Sequence, residues 1–207
     1  DDGSAESYAL FRGKLERLGL PLFVIPGNHD LREPMRVAFA DLGLFESSGP
    51  LNWVHDVGDL RLVGIDTLVE GSGGGLIDEA TRAFLVDALA FDGPILLAMH
   101  HPPFETGIAF MDSIGLTGKA QLADLLSQSP ADIRVICGHL HLAVTGQISR
   151  FPVLVGPSPC SSFQFDLRKD APVGFFTGSG GFMIHEWSDV FRSVLIPAEI
   201  GHGPFDF

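Results

Sequence analysis

The chain has 207 residues and a formal net charge of −13, with 13 Lys and Arg against 26 Asp and Glu. Without a basic cluster, it lacks the positive surface that binding to nucleic acid or to an anionic membrane requires. Its apolar runs fall well short of the roughly 20 residues that span a bilayer, and its acidic start, DDGSAESYAL, has no basic region typical of a signal peptide.

The first two thirds of the chain alternate predicted helices and strands. Ser4 suits the N-cap of a helix over 4–18, whose apolar face would carry Tyr8, Phe11, Leu15 and Leu18. The next elements are a strand over 21–25, a hairpin over 52–67 that turns at Gly58-Asp59, a helix capped by Asp78, a strand over 95–99, a helix over 119–128 and a strand over 133–137. Such alternation predicts buried sheets covered by helices.

After residue 141 the pattern changes. Residues 142–198 are predicted to be mostly strands separated by Gly, Pro and Ser, and they include the hairpin GFMIHEW-SD-VFRSVLIP. We therefore predict a single domain over 1–207, with an α/β half over 1–141 and a mainly β half over 142–207 that forms a second, largely antiparallel sheet.

The two cysteines, Cys137 and Cys160, are too few for a disulfide scaffold. A reducing, cytoplasmic setting is the simpler expectation. Both cysteines are predicted to be small apolar packing residues.

Three predicted strands each end in a polar loop that could bind a metal ion. The loops are GNHD at 27–30 after strand 21–25, HHPP at 100–103 after strand 95–99, and GHLH at 138–141 after strand 133–137. Ligands of open α/β sheets sit beyond the carboxyl ends of the strands, so the three loops are expected to build one site. A lone histidine would be read as a structural residue, but five in three such loops favour a site for Mn, Fe, Zn, Co or Ni.

Local spacing adds two expectations about these loops. His139 and His141 are two residues apart, so in an extended segment both side chains would point the same way. Gly27 and Gly138 precede the ligands and are expected to form tight turns that let the backbone approach an ion.

The three loops resemble motifs of the calcineurin-like metallophosphoesterase family. Its pattern is D-x-H, G-D-x-x-D, G-N-H-[DE], an H-H-P loop and G-H-x-H, and the last three blocks occur here in order. FETGIAFMDSIGL (104–116) and GIDTLVEGSGGG (64–75) resemble connecting loops of the class III cyclic nucleotide phosphodiesterase branch, which also contains glycerophosphodiesterases. The resemblance implies an α/β fold, a β-sandwich of two sheets flanked by helices.

The resemblance also implies a role for each polar residue of the loops. The implied metal ligands are Asn28, His100 and His139 for one ion and His141 for the other. His29 would face the phosphate, together with Asn28 and His141, and assist the leaving group. Asp30 would orient the imidazole of His29, since a carboxylate behind a histidine fixes its tautomer and raises its basicity.

The D-x-H block and most of the G-D-x-x-D block are absent, and Asp1 matches the final Asp of the second block. The chain is therefore expected to lack the first strand, first helix and second strand of the fold. Two divalent ions, Mn, Fe, Zn or Co, would then meet an incomplete site. Unpaired strand edges at that end of the sheet predict self-association into a homo-oligomer.

Two hypotheses about function follow. The first is a metal-dependent phosphodiesterase that hydrolyses a small diester, 3′,5′-cyclic AMP or a similar cyclic nucleotide, through a dinuclear centre. Glycerophosphodiesters, or other diesters and monoesters handled by the same family, are the alternative substrates. The second hypothesis is a catalytically silent remnant that folds, self-associates, and binds ligand weakly or not at all.

Overall fold

The computed structural model describes residues 2–178, 180–199, 201–202 and 205. Its helices are α1 (Ala5–Leu15), α2 (Arg32–Ala38), α3 (Glu79–Ala88), α4 (Ala109–Ser113) and α5 (Lys119–Gln128), with 3₁₀ turns at Glu16–Leu18 and Ala40–Leu42. Within these described ranges, no helix combines the length and the hydropathy needed to cross a lipid bilayer.

The strands of the described residues are short, as is usual in an α/β protein. They are β1 (Trp53–Val57), β2 (Leu60–Gly64), β3 (Gly75–Leu76), β4 (Ile95–Met99), β5 (Leu116–Thr117), β6 (Ile133–Cys137), β7 (Val144–Ile148), β8 (Phe151–Val155), β9 (Ser161–Phe163), β10 (Phe175–Thr177), β11 (Gly181–Trp187) and β12 (Phe191–Pro197).

The main sheet has six strands in the order β1-β2-β4-β6-β8-β7. Strands β2, β4, β6 and β8 run parallel, while the edge strands β1 and β7 are antiparallel to their neighbours. Two-stranded sheets pair β3 with β5, β9 with β10, and β11 with β12. Because the central strands are parallel, the loops that follow Met99 and Cys137 leave the same edge of the sheet.

Helices α3 and α5 cover one face of the main sheet. Leu85 of α3 and Leu122 and Leu126 of α5 are fully buried there. The strand residues that they pack against alternate along β4 and β6 and are Ile95, Leu97, Met99, Ile133, Val135 and Cys137. Complete burial of one such side chain is worth about 1.5–3 kcal/mol. The predicted strands and helices of this layer are confirmed.

The other face of the main sheet is only partly covered. Leu96, Ala98 and Ile136 are half-buried on this face. Met183 and His185 of β11 join them in lining a cavity of about 590 Å³. Strands β11 and β12 thus form the layer on this side of the sheet.

The predicted α/β architecture, a large sheet flanked by helices, is confirmed. Six strands and no helix occur in the described part of 142–198, as the Gly-rich, Pro-rich pattern predicts. The hairpin over 181–197 turns at residues 188–190, a loop one residue longer than the predicted Ser188-Asp189. The second sheet is smaller than predicted, since β9–β10 and β11–β12 remain separate two-stranded ladders.

The predicted strand at 21–25 is wrong. These residues form no strand ladder; instead, the Val24 carbonyl accepts a hydrogen bond from Trp53 Nε1 at 2.7 Å. The Phe23 ring packs against Trp53 and His55. An apolar run becomes a strand only where a neighbouring backbone pairs with it, and here side-chain packing against β1 holds the segment in place.

The predicted apolar face of the first helix is partly wrong. Ser4 caps α1 as expected, and the buried Tyr8 packs edge-on against Phe39, with ring centroids 5.8 Å apart. Phe11 and Leu18, however, are 45% and 64% exposed. Helix α1 packs against α2 and Phe39. This contact buries Tyr8 but leaves Phe11 and Leu18 of the predicted face exposed to solvent.

The two cysteines have different environments. Cys137 is buried in the core, as predicted. Cys160 is exposed, so the packing role predicted for it is wrong. Cys160 lies in the loop between β8 and β9.

Candidate metal centre

Two of the polar loops start side by side at the carboxyl edge of the main sheet. Met99 and Cys137 are register partners at the ends of β4 and β6. The backbone N–H of Gly138 donates to the carbonyl of His100 at 3.1 Å, which continues the pairing beyond the strands. The parallel register therefore places His100 beside the loop that carries His139.

The GNHD turn packs directly on His100. The Oδ1 atom of Asn28 lies 2.8 Å from the Nε2 atom of His100. A Cβ atom on Gly27 would lie 2.9 Å from the Cε1 atom of that ring, so only glycine allows the approach. The glycine expected to bring the backbone close to an ion instead brings it close to a histidine.

Asn28 and His100 have the spacing of a ligand pair. Two donor atoms bound at about 2.1 Å and at right angles to each other lie about 3 Å apart. The observed 2.8 Å separation is close to this value. The two side chains are thus placed to share a cation with little rearrangement.

His139 contributes a nitrogen atom that lacks a partner. Its Nε2 is buried without a hydrogen bond among the described residues, and its ring centroid lies 5.1 Å from that of His100. Burial lowers the pKa of His139 to about 4, so the ring is neutral and has a lone pair to offer. A buried, unpaired nitrogen is costly in a native protein, and a bound ion would satisfy it.

His101 lies beside both His100 and His139. The ligand atoms of His100, His101 and His139 all lie within 4.8 Å of one another. Yet His101 Nδ1 lies 2.8 Å from the Thr67 hydroxyl, and Nε2 lies 3.1 Å from the Gly73 carbonyl. Both ring nitrogens are therefore occupied, which favours a supporting role for this fully buried side chain.

The GHLH loop is not extended, contrary to expectation. His139 and His141 have φ values of 70° and 53°, in the left-handed region that non-glycine residues rarely adopt. Leu140 is buried, and its N–H donates to the Gly138 carbonyl at 2.8 Å, which closes a tight turn. This turn directs His139 inward and leaves His141 exposed. Strained backbone of this kind is concentrated at functional sites.

His29 and His141 lie at the exposed side of the cluster. The Nδ1 atom of His141 is 2.9 Å from the Ser161 hydroxyl of β9. Burial holds the pKa of His100 well below its usual range, and the positive charges of the neighbouring histidines, His29 and His141 included, lower it further. The structure thus brings together all three loops that the sequence singled out.

Asp30 was expected to orient the His29 ring, but its carboxylate has two other hydrogen-bond partners. Its two carboxylate oxygens accept hydrogen bonds from the Tyr8 hydroxyl at 2.8 Å and from the Gly27 N–H at 2.7 Å. No hydrogen bond joins Asp30 to His29 in the described part of the chain. The sequence did not indicate the part that Tyr8 takes, because this residue reads as one apolar position on a helix face.

The ligand set in the described residues is neutral. Asn28, His100, His139 and His141 carry no negative charge at neutral pH. The nearby buried carboxylate of Asp66 is already engaged by Arg32 and by two backbone N–H groups. Asp1, which matches the final Asp of the G-D-x-x-D block, lies outside the described residues. The nitrogen and oxygen donors present suit a transition-metal ion.

Comparisons with known proteins show which family the sequence of this chain resembles. A calcineurin-like phosphoesterase family model matches residues 1–143. The chain is 33% identical over 212 aligned positions to a probable glycerophosphodiester phosphodiesterase of Arcobacter nitrofigilis, an alignment that covers 100% of this chain and 78% of that protein.

Two further relatives are named as cyclic nucleotide phosphodiesterases. A 3′,5′-cyclic adenosine monophosphate phosphodiesterase of Pseudomonas aeruginosa is 35% identical, over 83% of this chain and 63% of its own length. A cAMP/cGMP dual specificity phosphodiesterase of Mycobacterium tuberculosis is 28% identical, over 95% of this chain and 63% of its own length. The chain thus spans less than two thirds of these two relatives. By its family match and its full-length similarity, the chain belongs to the calcineurin-like phosphoesterase family.

Proposed function

We propose that this site hydrolyses phosphodiesters with the help of two divalent metal ions. The observation that carries the proposal is the buried, unpaired Nε2 atom of His139, which lies beside the Asn28–His100 pair. Asn28, His100 and His139 would hold one ion, and the exposed His141 would contribute to the other. The ions, Mn, Fe, Zn or Co, supply Lewis acidity and a nucleophile at neutral pH.

The protein's own residues bind the substrate and transfer the proton. Asn28 and His141 contact the phosphate group from opposite loops. His29, exposed at the tip of its turn, donates a proton to the departing oxygen, which is the task of a general acid. Asp30 supports His29 through the backbone turn, since its carboxylate is engaged by Tyr8 and Gly27.

We propose 3′,5′-cyclic nucleotides, cyclic AMP above all, as the substrates. Two of the relatives described above are named for this activity. Glycerophosphodiesters are the second candidate, because the relative aligned over the whole chain is named for them. A cytoplasmic location and assembly into a homo-oligomer remain predictions from the sequence.

A catalytically silent protein is the third candidate, and the neutral ligand set favours it. Two divalent ions bring a charge of +4, which Asn28 and the three histidines do not offset. Carboxylates that bridge or flank the ions in two-metal hydrolases both neutralise this charge and hold the ions at the separation the reaction needs. The 207-residue chain is therefore expected to turn over slowly.

Metal titration followed by assay tests these alternatives. The purified chain is titrated with Co²⁺, whose visible absorption reports coordination. The loaded protein is then assayed with cyclic AMP, a glycerophosphodiester and bis(p-nitrophenyl) phosphate. His139→Gln is expected to weaken Co²⁺ binding at least tenfold, whereas His202→Gln, which alters an exposed histidine near the end of the chain, serves as the matched control and is expected to leave it unchanged.

The outcomes separate the candidates. Faster turnover of cyclic AMP than of the other diesters supports the proposed substrate, and the reverse order supports glycerophosphodiesters. Co²⁺ binding without turnover of any diester identifies a silent protein. If the unaltered chain shows no specific Co²⁺ absorption, or if the His139 and His202 variants behave alike, the proposed metal centre is wrong.

A further inference from the structure

The Gly27–Asp30 turn, which carries the proposed ligand Asn28, is connected to helix α1 by one buried hydroxyl group. Tyr8 of α1 is 6% exposed, and its hydroxyl donates to the Oδ1 atom of Asp30 at 2.8 Å. The same hydroxyl accepts a hydrogen bond from the Leu31 N–H at 3.3 Å. Both functions of the phenol are thus used, and both contacts are made immediately after the tip residues Asn28 and His29.

Asp30 connects the Tyr8 hydroxyl to the turn, because its second carboxylate oxygen is hydrogen-bonded to the start of the turn. Its Oδ2 atom accepts from the Gly27 N–H at 2.7 Å, while its backbone N–H donates to the Gly27 carbonyl at 3.2 Å. The four-residue turn is therefore closed at its base by one side-chain and one backbone hydrogen bond. Because charge-assisted hydrogen bonds are shorter and stronger than neutral ones, the carboxylate is the stronger of the two closures.

The position of Asn28 depends on this closure. Gly27 lies against the His100 ring with no room for a Cβ atom, and Asn28 Oδ1 lies 2.8 Å from His100 Nε2. Residues 21–25, which lead into the turn, have no strand ladder to fix them. The turn is thus positioned on its N-terminal side by the packing of residues 21–25 on β1 and on its C-terminal side by the Tyr8–Asp30 hydrogen bond.

We propose that Tyr8 is a positioning residue for the metal centre. By holding the Asp30 carboxylate, its hydroxyl sets the orientation of the Gly27–Asp30 turn and hence of the ligand Asn28. The proposal rests on the proposed metal site, and it assigns to α1 a function that its helical sequence pattern does not indicate. Groups that orient metal ligands typically change metal affinity 10–100-fold when they are removed.

Tyr8→Phe is the direct test, because it removes the hydroxyl and keeps the ring that packs on Phe39. Co²⁺ affinity is expected to fall about tenfold, and the visible absorption of the bound ion is expected to change in shape as Asn28 shifts. Ser7→Ala is the matched control: it removes a hydroxyl from the same helix, but one whose partner is the exposed Asp2.

A double-mutant cycle separates positioning from general destabilisation. In an Asp30→Ala background, which removes the acceptor, Tyr8→Phe is expected to cause little further loss of Co²⁺ affinity, because the two residues act through one contact. Fully additive losses would indicate independent structural effects and would overturn the proposal, as would wild-type Co²⁺ affinity and absorption in Tyr8→Phe. Absence of Co²⁺ binding in the unaltered chain would instead refute the metal centre itself.

Discussion

Asn28 and His100 are separated by 72 positions in the sequence, yet their Oδ1 and Nε2 atoms lie 2.8 Å apart. One residue belongs to a turn without strand pairing, and the other directly follows a central strand of the main sheet. Each atom is a potential metal ligand, and each is the other's hydrogen-bond partner in the protein alone. An ion that enters this site therefore replaces one existing contact with two coordinate bonds.

The two adjacent histidines of the HHPP loop should respond differently to substitution. His100→Ala is expected to abolish Co²⁺ binding with a small change in stability. His101→Ala is expected to lower the free energy of unfolding by about 3 kcal/mol, because it leaves a cavity and deprives Thr67 and Gly73 of their hydrogen-bond partner. Urea denaturation and Co²⁺ titration of both variants measure the two effects; equal losses of Co²⁺ binding would contradict the assignment.

Stability of the metal-free protein should depend on pH through His139. Its pKa is about 4 in the folded state against about 6.5 in an unfolded chain. Between these values the unfolded state binds more protons, so stability is fully present above pH 6.5 and falls as the pH is lowered towards 4, by on the order of 2–3 kcal/mol from this residue.

Urea denaturation in a chelator, at intervals from pH 7.5 to 4.5, measures this slope. His139→Gln should make the slope shallower, because it removes the ring whose pKa is lowered in the folded state. A wild-type slope in the His139 variant would show that other groups dominate the acid sensitivity.

Loss of the Arg32 side chain should strongly destabilise the protein, because its partner Asp66 is buried. The Asp66 side chain is fully buried, and Arg32 contacts both its oxygens, at 2.7 Å and 3.0 Å. Arg32→Met is expected to cost about 3–5 kcal/mol, because it leaves a buried carboxylate without its counter-charge. Arg192→Met breaks a pair with Glu186 in which both side chains are more than half exposed, and it should cost less than about 1 kcal/mol. Chemical denaturation compares them, and similar losses would show that burial is not decisive.

Two glycines should respond to alanine in opposite directions. In Gly27→Ala the new Cβ would lie 2.9 Å from the His100 ring, so both stability and Co²⁺ affinity are expected to fall. Gly13→Ala, in helix α1, places the new Cβ more than 4 Å from every described residue outside that turn of the helix and is expected to stabilise by about 0.5–1 kcal/mol. Thermal unfolding and Co²⁺ titration measure both effects. Unchanged Co²⁺ affinity in Gly27→Ala would show that the turn tolerates displacement from His100.

The local pattern of the sequence was sufficient to single out the three loops of the candidate site. Apolar runs at 95–99 and 133–137 predicted buried strands, and ligands of open α/β sheets sit beyond the carboxyl ends of their strands. The order of GNHD, HHPP and GHLH along the chain then indicated the family. These features depend on neighbouring residues or on motif spacing, both of which the sequence states directly.

Tertiary structure alone decided which atoms of the site are available. The left-handed turn at His139 and His141, the two hydrogen bonds that occupy His101, and the Tyr8–Asp30 contact all join segments that are distant in sequence or bend the backbone against its usual preference. The strand predicted at 21–25 failed for the same reason, because strand formation needs a backbone partner that periodicity does not encode. Sheet order and side-chain packing settle such contacts, and they exist only once the chain has folded.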